Sequence, residues 1–213
     1  MKKALLTVVL LLALAVMVSA QEYWNLKTSI KGIDVMPGDG NNMGIGAAAV
    51  VTFGAPDGQY DFGFEAAKWW RTFDEVDSEV AELIGSGDIV RDNADVEVDQ
   101  GGLKFSALGK YKVFSLISEG KLDLYTGAGA GFYFLQESRE EARQNPATGL
   151  WAVEKIDKYL DTKGQSFILM GLDGDLYNNL NIFLEARFTY IFDWDRWDDP
   201  YEIGSALGLR YDF

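Results

Sequence analysis

Alternation of apolar and polar residues, with a period of two, runs through most of the chain after residue 20. In 181–194, for example, Ile182, Leu184 and Phe188 fall on one face, and Glu185 and Arg187 fall on the other. This is the period of a β-strand, not of a helix. The pattern therefore predicts eight strands, at 24–35, 43–53, 59–73, 99–115, 121–136, 162–175, 181–194 and 201–213.

The predicted connections between these strands alternate in length. Turn-forming residues at 54–58, 118–120 and 177–179 follow strands two, four and six. Longer connections, above all 74–98 and 137–161, follow the odd-numbered strands. An up-and-down barrel with an even number of strands and both termini on the periplasmic side has short turns at that end and long loops at the other.

The polar faces of the strands combine glycine with charges of both signs, as at Gly127, Gly129 and Gly131. An eight-stranded barrel has an interior just wide enough for side chains, so small residues suit its lumen. The sequence thus predicts an all-β, eight-stranded antiparallel transmembrane barrel with apolar faces towards lipid. A soluble barrel also alternates but places its apolar face inside. A soluble periplasmic ligand-binding barrel therefore stays open as an alternative.

The first 20 residues have the pattern of a secretory signal peptide. Lys2 and Lys3 precede the apolar run 4–18, and Ser19 and Ala20 end in a small-residue cleavage site. The run is shorter than the roughly 20 residues that a spanning helix needs. We expect a signal peptide at 1–20 and a single barrel domain at 21–213.

The last strand carries apolar residues on one face and stops on an aromatic residue. The residues of this face are Leu207, Leu209, Tyr211 and Phe213. The face resembles the terminal-strand signature of bacterial outer-membrane β-barrels, which implies an assembly signal that the barrel-insertion machinery reads.

With this terminal pattern, the part of the chain after residue 20 resembles the OmpA/OmpX-like superfamily of eight-stranded outer-membrane β-barrels. The resemblance lies in architecture more than in any residue-level motif. It implies an outer-membrane location with periplasmic termini and extracellular long loops, in contact with outer-membrane lipid and lipopolysaccharide. Members of the OmpA type usually carry a periplasmic peptidoglycan-binding domain, and that function is not carried over to this chain.

Composition argues against several activities. The chain has no His and no Cys, and its formal net charge is −14. The enzymes known among outer-membrane barrels (lipid A deacylases and palmitoyltransferases, phospholipases and omptin proteases) use a His as acid or base. A Ser-Lys or paired-carboxylate device stays open, but no spacing indicates one. So acidic a chain repels nucleic acid. We expect no enzymatic activity, no cofactor, no metal and no nucleic-acid partner.

Charges of both signs are predicted to face the lumen, with Glu65, Glu185 and Arg187 at the centre of a network. Because an unpaired buried charge is costly, these groups are expected to pair. The network is read in two ways: as a plug in a structural or surface-interaction protein, or as a gated path for ions or small solutes. Its other predicted members are Lys27, Asp123 and Arg210.

Three further features of the sequence lead to smaller predictions. The acidic segment 74–99 is expected to be a solvated charge run with a short amphipathic helix, and divalent-cation binding there stays open. The segment 137–143 is expected to form a charged helical turn, and Lys68 to reach a lipid phosphate. Aromatic residues predicted for the membrane-interface girdle, or for ligand contacts, are Trp69, Trp70, Trp194 and Trp197.

Overall fold

The computed structural model describes residues 25–37, 43–55, 58–117, 122–193 and 199–213, without the side chains of 157–160. The predicted signal peptide, Trp194 and Trp197 lie outside these residues. No helix in the described ranges is both long and apolar enough to cross a membrane. The strands are β1 (Asn25–Pro37), β2 (Gly44–Gly54), β3 (Tyr60–Val76), β4 (Asp95–Ile117), β5 (Leu122–Gln144), β6 (Trp151–Tyr177), β7 (Leu180–Ile191) and β8 (Tyr201–Asp212), and a short helix, α1 (Ser78–Ser86), follows β3.

The eight strands form a closed antiparallel ring in chain order, which confirms the predicted up-and-down barrel. Closure comes from β8, which pairs with β1 so that Leu209 lies opposite Ile30. Beyond the last pair, the backbone N–H of Phe213 donates to the carbonyl of Leu26 at 3.0 Å. Closure leaves no free sheet edge within the ring.

The two faces of the strands are distributed as a membrane barrel requires. Large apolar side chains face outwards, with Ile30 67% and Phe64 63% exposed. Charged side chains such as Lys31, Glu65 and Glu185 are buried inside. This arrangement is the reverse of a soluble barrel, whose apolar residues fill the interior.

Glycine in the lumen makes room for aromatic side chains from neighbouring strands. A Cβ added at Gly102 would stand 2.2 Å from Nε1 of Trp69, and one at Gly129 would stand 2.3 Å from Cζ of Phe167. No real Cβ tolerates such a contact without displacing its neighbour. The glycines on the polar faces are therefore part of how so narrow a barrel is filled.

The two ends of the barrel differ. The end that holds Asn25 and Phe213, here called the terminal end, has the short turns at 55–59 and 178–179. At the opposite, loop end, β7 stops where Ile191 faces Gln165, whereas β6 begins fourteen residues earlier in the chain, at Trp151 (165 minus 151). Residues 95–100 of β4, 137–144 of β5 and 151–163 of β6 therefore extend past β7 as a protruding sheet.

The expectation of a charged helical turn at 137–143 is wrong, because these residues continue β5. They pair with 152–159 of β6 across a hairpin, where the N–H of Asn145 donates to the carbonyl of Leu150 at 2.8 Å. Pairing with β6 along the whole segment, and with β4 at 137–139, outweighs the helix-like local spacing of charges. The long connection 137–161 is for this reason mostly strand.

The expected helix in the acidic segment is confirmed as α1. Asp77 caps it, accepting hydrogen bonds from the N–H groups of Glu79 (2.9 Å) and Val80 (3.2 Å). Gly87 ends it in the left-handed conformation, at φ 80°. Val80 is its fully buried residue, so one apolar side chain anchors the helix.

Candidate functional site

Two glutamates at mid-height in the lumen share three cations. Glu185 accepts from Lys31 Nζ at 2.7 Å, from Lys110 Nζ at 3.0 Å and from an Arg187 Nη at 3.0 Å. Glu65 is bound by both Arg187 Nη atoms, one of them at 2.8 Å, and by Lys31 Nζ at 2.7 Å. Both glutamate side chains are 1% exposed. These five residues are called the ion cluster below.

The ion cluster has one more cation than carboxylate, and aromatic rings face the excess charge. The Arg187 guanidinium lies 4.1 Å from the ring centroid of Phe167, and Lys110 Nζ lies 4.6 Å from that of Tyr125. The Tyr125 hydroxyl also donates to Glu185 at 3.3 Å. Ring faces attract cations, so the aromatic side of the lumen complements the charged side.

A second buried pair and an apolar layer close the lumen towards the loop end. Lys104 binds Glu202, which also accepts from the Tyr133 hydroxyl at 2.9 Å. Beside this pair, buried side chains from four strands form an apolar layer in the lumen. The layer consists of Val35, Trp69, Tyr133, Leu135 and Ile191.

Separate ion pairs line the lumen at the terminal end. Lys27 binds Asp61 at 2.8 Å, and Lys112 binds Asp123 at 2.6 Å. Arg210 binds Asp173, and it binds Asp212 at 2.7 Å. These pairs surround a cavity of about 70 Å³, and a second cavity of about 30 Å³ adjoins Glu65 and Glu202. Each of these two cavities has room for a few water molecules at most.

Aromatic side chains form two rims on the outer surface. At the loop end, Trp70 is 50% exposed, and Phe188 stacks on Tyr201 with centroids 5.6 Å apart. At the terminal end, the ring centroids lie 5.0 Å apart in the pair Tyr60–Tyr111 and 4.9 Å apart in the pair Tyr211–Phe213. The outward residues between the rims are mainly apolar, which is the pattern of a membrane-spanning barrel.

The protruding sheet is held to the segment around α1 by ion pairs. Arg139 binds Asp77 at 2.8 Å and Glu75 at 3.3 Å, and Arg91 binds Glu140 at 3.1 Å. Burial raises the pKa of Asp77, but hydrogen bonds from the Val80 N–H and from Arg139 outweigh it, and the pKa lies below its usual value. Asp77 is therefore ionised at neutral pH, as its role as cap and ion-pair partner requires.

One edge of the protruding sheet carries no strand. Residues 151–162 of β6 pair with β5, and within the described chain their other side has no strand partner, because the pairing with β7 starts at Gln165. The N–H and C=O groups of such an edge are available to another strand. Near the tip, Leu150 and Val90 are strongly exposed.

No protein-family model matches the chain, and no curated protein matches its sequence. Among solved structures, it is similar to a major outer membrane protein from Thermus thermophilus, with a TM-score of 0.56, 13% identity, and coverage of 88% of this chain and 99% of that one. It is also similar to Neisserial surface protein A, with a TM-score of 0.51, 12% identity, and coverage of 89% and 97%. The chain has the fold of the eight-stranded outer-membrane β-barrels. At these identities the likeness concerns the fold alone.

In this barrel, the residues predicted for the centre of the network lie together, since Glu65, Glu185 and Arg187 all belong to the ion cluster, where Arg187 binds both glutamates. Lys27, Asp123 and Arg210 also line the lumen, but they form separate pairs at the terminal end. Of the predicted assembly signal, Leu207, Leu209 and Tyr211 face outwards on β8, Phe213 directly follows the strand, and all four side chains are exposed.

The placement of Trp69 in the girdle is wrong. Its side chain is 0% exposed and lies in the apolar layer, whereas the neighbouring Trp70 faces outwards. The alternation of β3 could have shown this, because Trp69 is in phase with Asp61 and Glu65. The sequence pattern does not predict an apolar layer inside the lumen, because it assigns polar residues to the lumen-facing sides of the strands.

Proposed function

We propose that this protein is an integral outer-membrane barrel with no enzymatic activity, whose lumen is closed by its own side chains and which acts as a structural or surface-interaction protein through its loop end. The main support for this proposal is the filled lumen, in which the ion cluster and the apolar layer follow one another along the barrel axis.

The outer-membrane location is supported by the outer surface. A contiguous exposed apolar band of this extent, bounded by two aromatic rims, is unfavourable in water and matches the hydrocarbon region of a bilayer. In the proposed orientation the terminal end faces the periplasm and the protruding sheet faces the outside.

The closed lumen is supported by the pairing of its buried charges. Both glutamates of the ion cluster are bound by cations at hydrogen-bond distance, and Trp69 fills the section above them. An ion that passed would have to break several buried charge-assisted hydrogen bonds, each stronger than a neutral one. A gated path is the second candidate, favoured by the two polar cavities next to Glu65 and Lys110.

Planar-bilayer recording separates these two candidates. The refolded wild-type barrel is expected to give no steady single-channel current, because the lumen is blocked at two levels. Heat-modifiable electrophoretic mobility of the same sample shows that the barrel is folded, and an Arg187→Ala variant, which breaks the ion cluster, is recorded in parallel. Reproducible wild-type channels of one fixed conductance would contradict the closed lumen and favour the gated path.

The surface-interaction role is supported by the protruding sheet. It combines exposed apolar residues near its tip, such as Leu150, with a β-edge at 151–162 that has no strand partner among the described residues. Sheet edges of this kind bind extended peptides by adding a strand. The ion pairs of Arg139 connect the sheet to Glu75 on β3 and to Asp77, the cap of α1.

Labelling of single cysteines tests both location and orientation, because the chain has no Cys of its own. We expect a membrane-impermeant maleimide to label Thr148→Cys, in the β5–β6 turn, on intact cells. The matched variant Asn178→Cys, in the short β6–β7 turn, should be labelled only after the cells are lysed. Labelling in the opposite order would contradict the orientation, and recovery of the protein in the soluble periplasm would contradict the membrane location.

The assembly role of the last strand stays a prediction. It is supported by the exposed outward positions of Leu207, Leu209, Tyr211 and Phe213 on the strand that closes the ring. A face that remains accessible while β8 pairs with β1 is one that an insertion machinery can read.

A further inference from the structure

The outer surface of β1 to β4 is hollowed, in contrast to the surface around it. Its outward positions near mid-height carry small residues, namely Gly32, Ala47, Ala49 and Ala66. Larger side chains stand on both sides, with Ile30 and Leu207 along one border and Leu103 along the other. The result is an apolar groove of about 870 Å³ on the face that the proposed function assigns to lipid.

The groove continues along the barrel towards the terminal end. A second depression, of about 410 Å³, shares Ile30, Ala49 and Leu209 with the first and runs on past Val51 to Tyr211. Together they form an elongated channel along the outer surface. A shape that is long, apolar and open to one side matches an extended hydrocarbon chain better than a compact ligand.

A single cation stands at the loop-end part of this groove. Lys68 faces outwards and is exposed, opposite Ala47 on β2 and Leu103 on β4. The outward neighbours along its own strand are Ala66 and Trp70, so none of the four flanking positions is acidic. Among the described residues between the two aromatic rims, Lys68 is the one basic side chain on the outer face.

The position of Lys68 relative to the aromatic rim determines which kind of molecule can neutralise its ammonium group. Trp70 lies two residues further along β3 on the same face, which places the Lys68 backbone about 7 Å inside the rim. A Lys at the bilayer midplane would cost roughly 2–4 kcal/mol, whereas one near the interface can extend its ammonium to the headgroups. Its counter-charge therefore has to come from the lipid.

We propose that the groove on β1–β4 is a binding site for one molecule of phosphorylated lipid, with a phosphate on the Lys68 ammonium and an acyl chain along Ala47, Ala49 and Ile30. The proposal rests on the outer-membrane location and orientation given above. In that orientation Lys68 lies in the outer leaflet, where the phosphorylated lipid is the lipid A of lipopolysaccharide. We therefore commit to lipid A, and phospholipid is the competing source.

Native mass spectrometry of the detergent-purified barrel, titrated with lipid A, tests the site. The wild type is expected to bind one lipid A. Lys68→Ala should weaken binding about tenfold, the loss typical of one hydrogen bond to a charged group, while Lys68→Arg should retain it. Ala49→Leu, which fills the groove, should also weaken binding. Ala130→Leu makes the same change at an exposed outward position of β5 outside the groove and should leave binding unchanged.

Three outcomes would overturn the proposal. If Lys68→Ala bound lipid A within twofold of the wild type, the phosphate contact would be refuted. If Ala49→Leu and Ala130→Leu lost lipid A affinity equally, the role of the groove would be refuted. Equal binding of phosphatidylglycerol and lipid A would overturn the choice of lipid A.

The cysteine labelling is done in the Lys68→Ala background as well. Normal surface labelling with unchanged lipid binding would refute the site alone, whereas a soluble wild-type protein would refute the location and the site together.

Discussion

Replacement of Glu185 by Ala is expected to lower the free energy of unfolding by about 3–5 kcal/mol, because removal of one partner leaves buried charges without compensation. Glu185 is bound by Lys31, Lys110 and Arg187, and its side chain is 1% exposed. After the substitution Glu65 alone would face three cations. Urea titration of the barrel refolded in detergent micelles or vesicles, followed by heat-modifiable mobility, measures the loss.

The matched control for this prediction is an exposed pair in the protruding sheet. Lys155 binds Glu97 at 2.7 Å, but both side chains are more than 40% exposed. Exposed ion pairs contribute little to stability, so Lys155→Ala should lower the unfolding free energy far less than Glu185→Ala does. Equal, small losses in Glu185→Ala and Lys155→Ala would show that water reaches the ion cluster and that the lumen is not closed.

The neighbouring tryptophans of β3 give the second large contrast. Trp69→Ala is expected to cost about 3–5 kcal/mol, the range for a large buried aromatic side chain, because it leaves a cavity between Gly44 and Gly102 that backbone cannot fill. Trp70→Ala removes the same side chain one residue along, from a half-exposed position at the aromatic rim. It should cost less than Trp69→Ala, because lipid or detergent can fill the space at the rim and no cavity is left in the lumen.

Unfolding followed by gel mobility and circular dichroism suits both variants, because neither readout depends on which tryptophan remains. If Trp70→Ala proved more costly than Trp69→Ala, the assignment of Trp69 to the apolar layer would be refuted. The rim would then contribute more to stability than the lumen.

The long strands were predictable in number and order but not in length. Alternation and turn residues marked all eight strands, since each has one face towards lipid and one towards the lumen, with the period of two that this imposes. Residues beyond the membrane do not need one face for lipid and one for the lumen. Residues 137–143 have a helix-like charge spacing, and only their pairing with β6, joined by β4 at 137–139, makes them strand.

The candidate site was predictable to the same degree. Glu65, Glu185 and Arg187 could be placed in the lumen because their phase along the strand is fixed by the apolar residues beside them. Which cation meets which carboxylate was not readable, because Lys31 and Glu185 are 154 residues apart in the chain. Their contact depends on the tilt of the strands and on the closure of β1 against β8.

The sequence by itself determined that this chain forms eight strands, each with one apolar and one polar face, because a period of two separates the two kinds of residue. The tertiary structure decided that the apolar face lies outside, since a soluble barrel has the same alternation with its apolar face inside. The tertiary structure decided how the lumen is closed, which residues share the ion cluster, and where the outer surface is hollow beside Lys68. These depend on the register across the closed ring, where residues distant in sequence are brought to the same height. No pattern within one strand specifies that height.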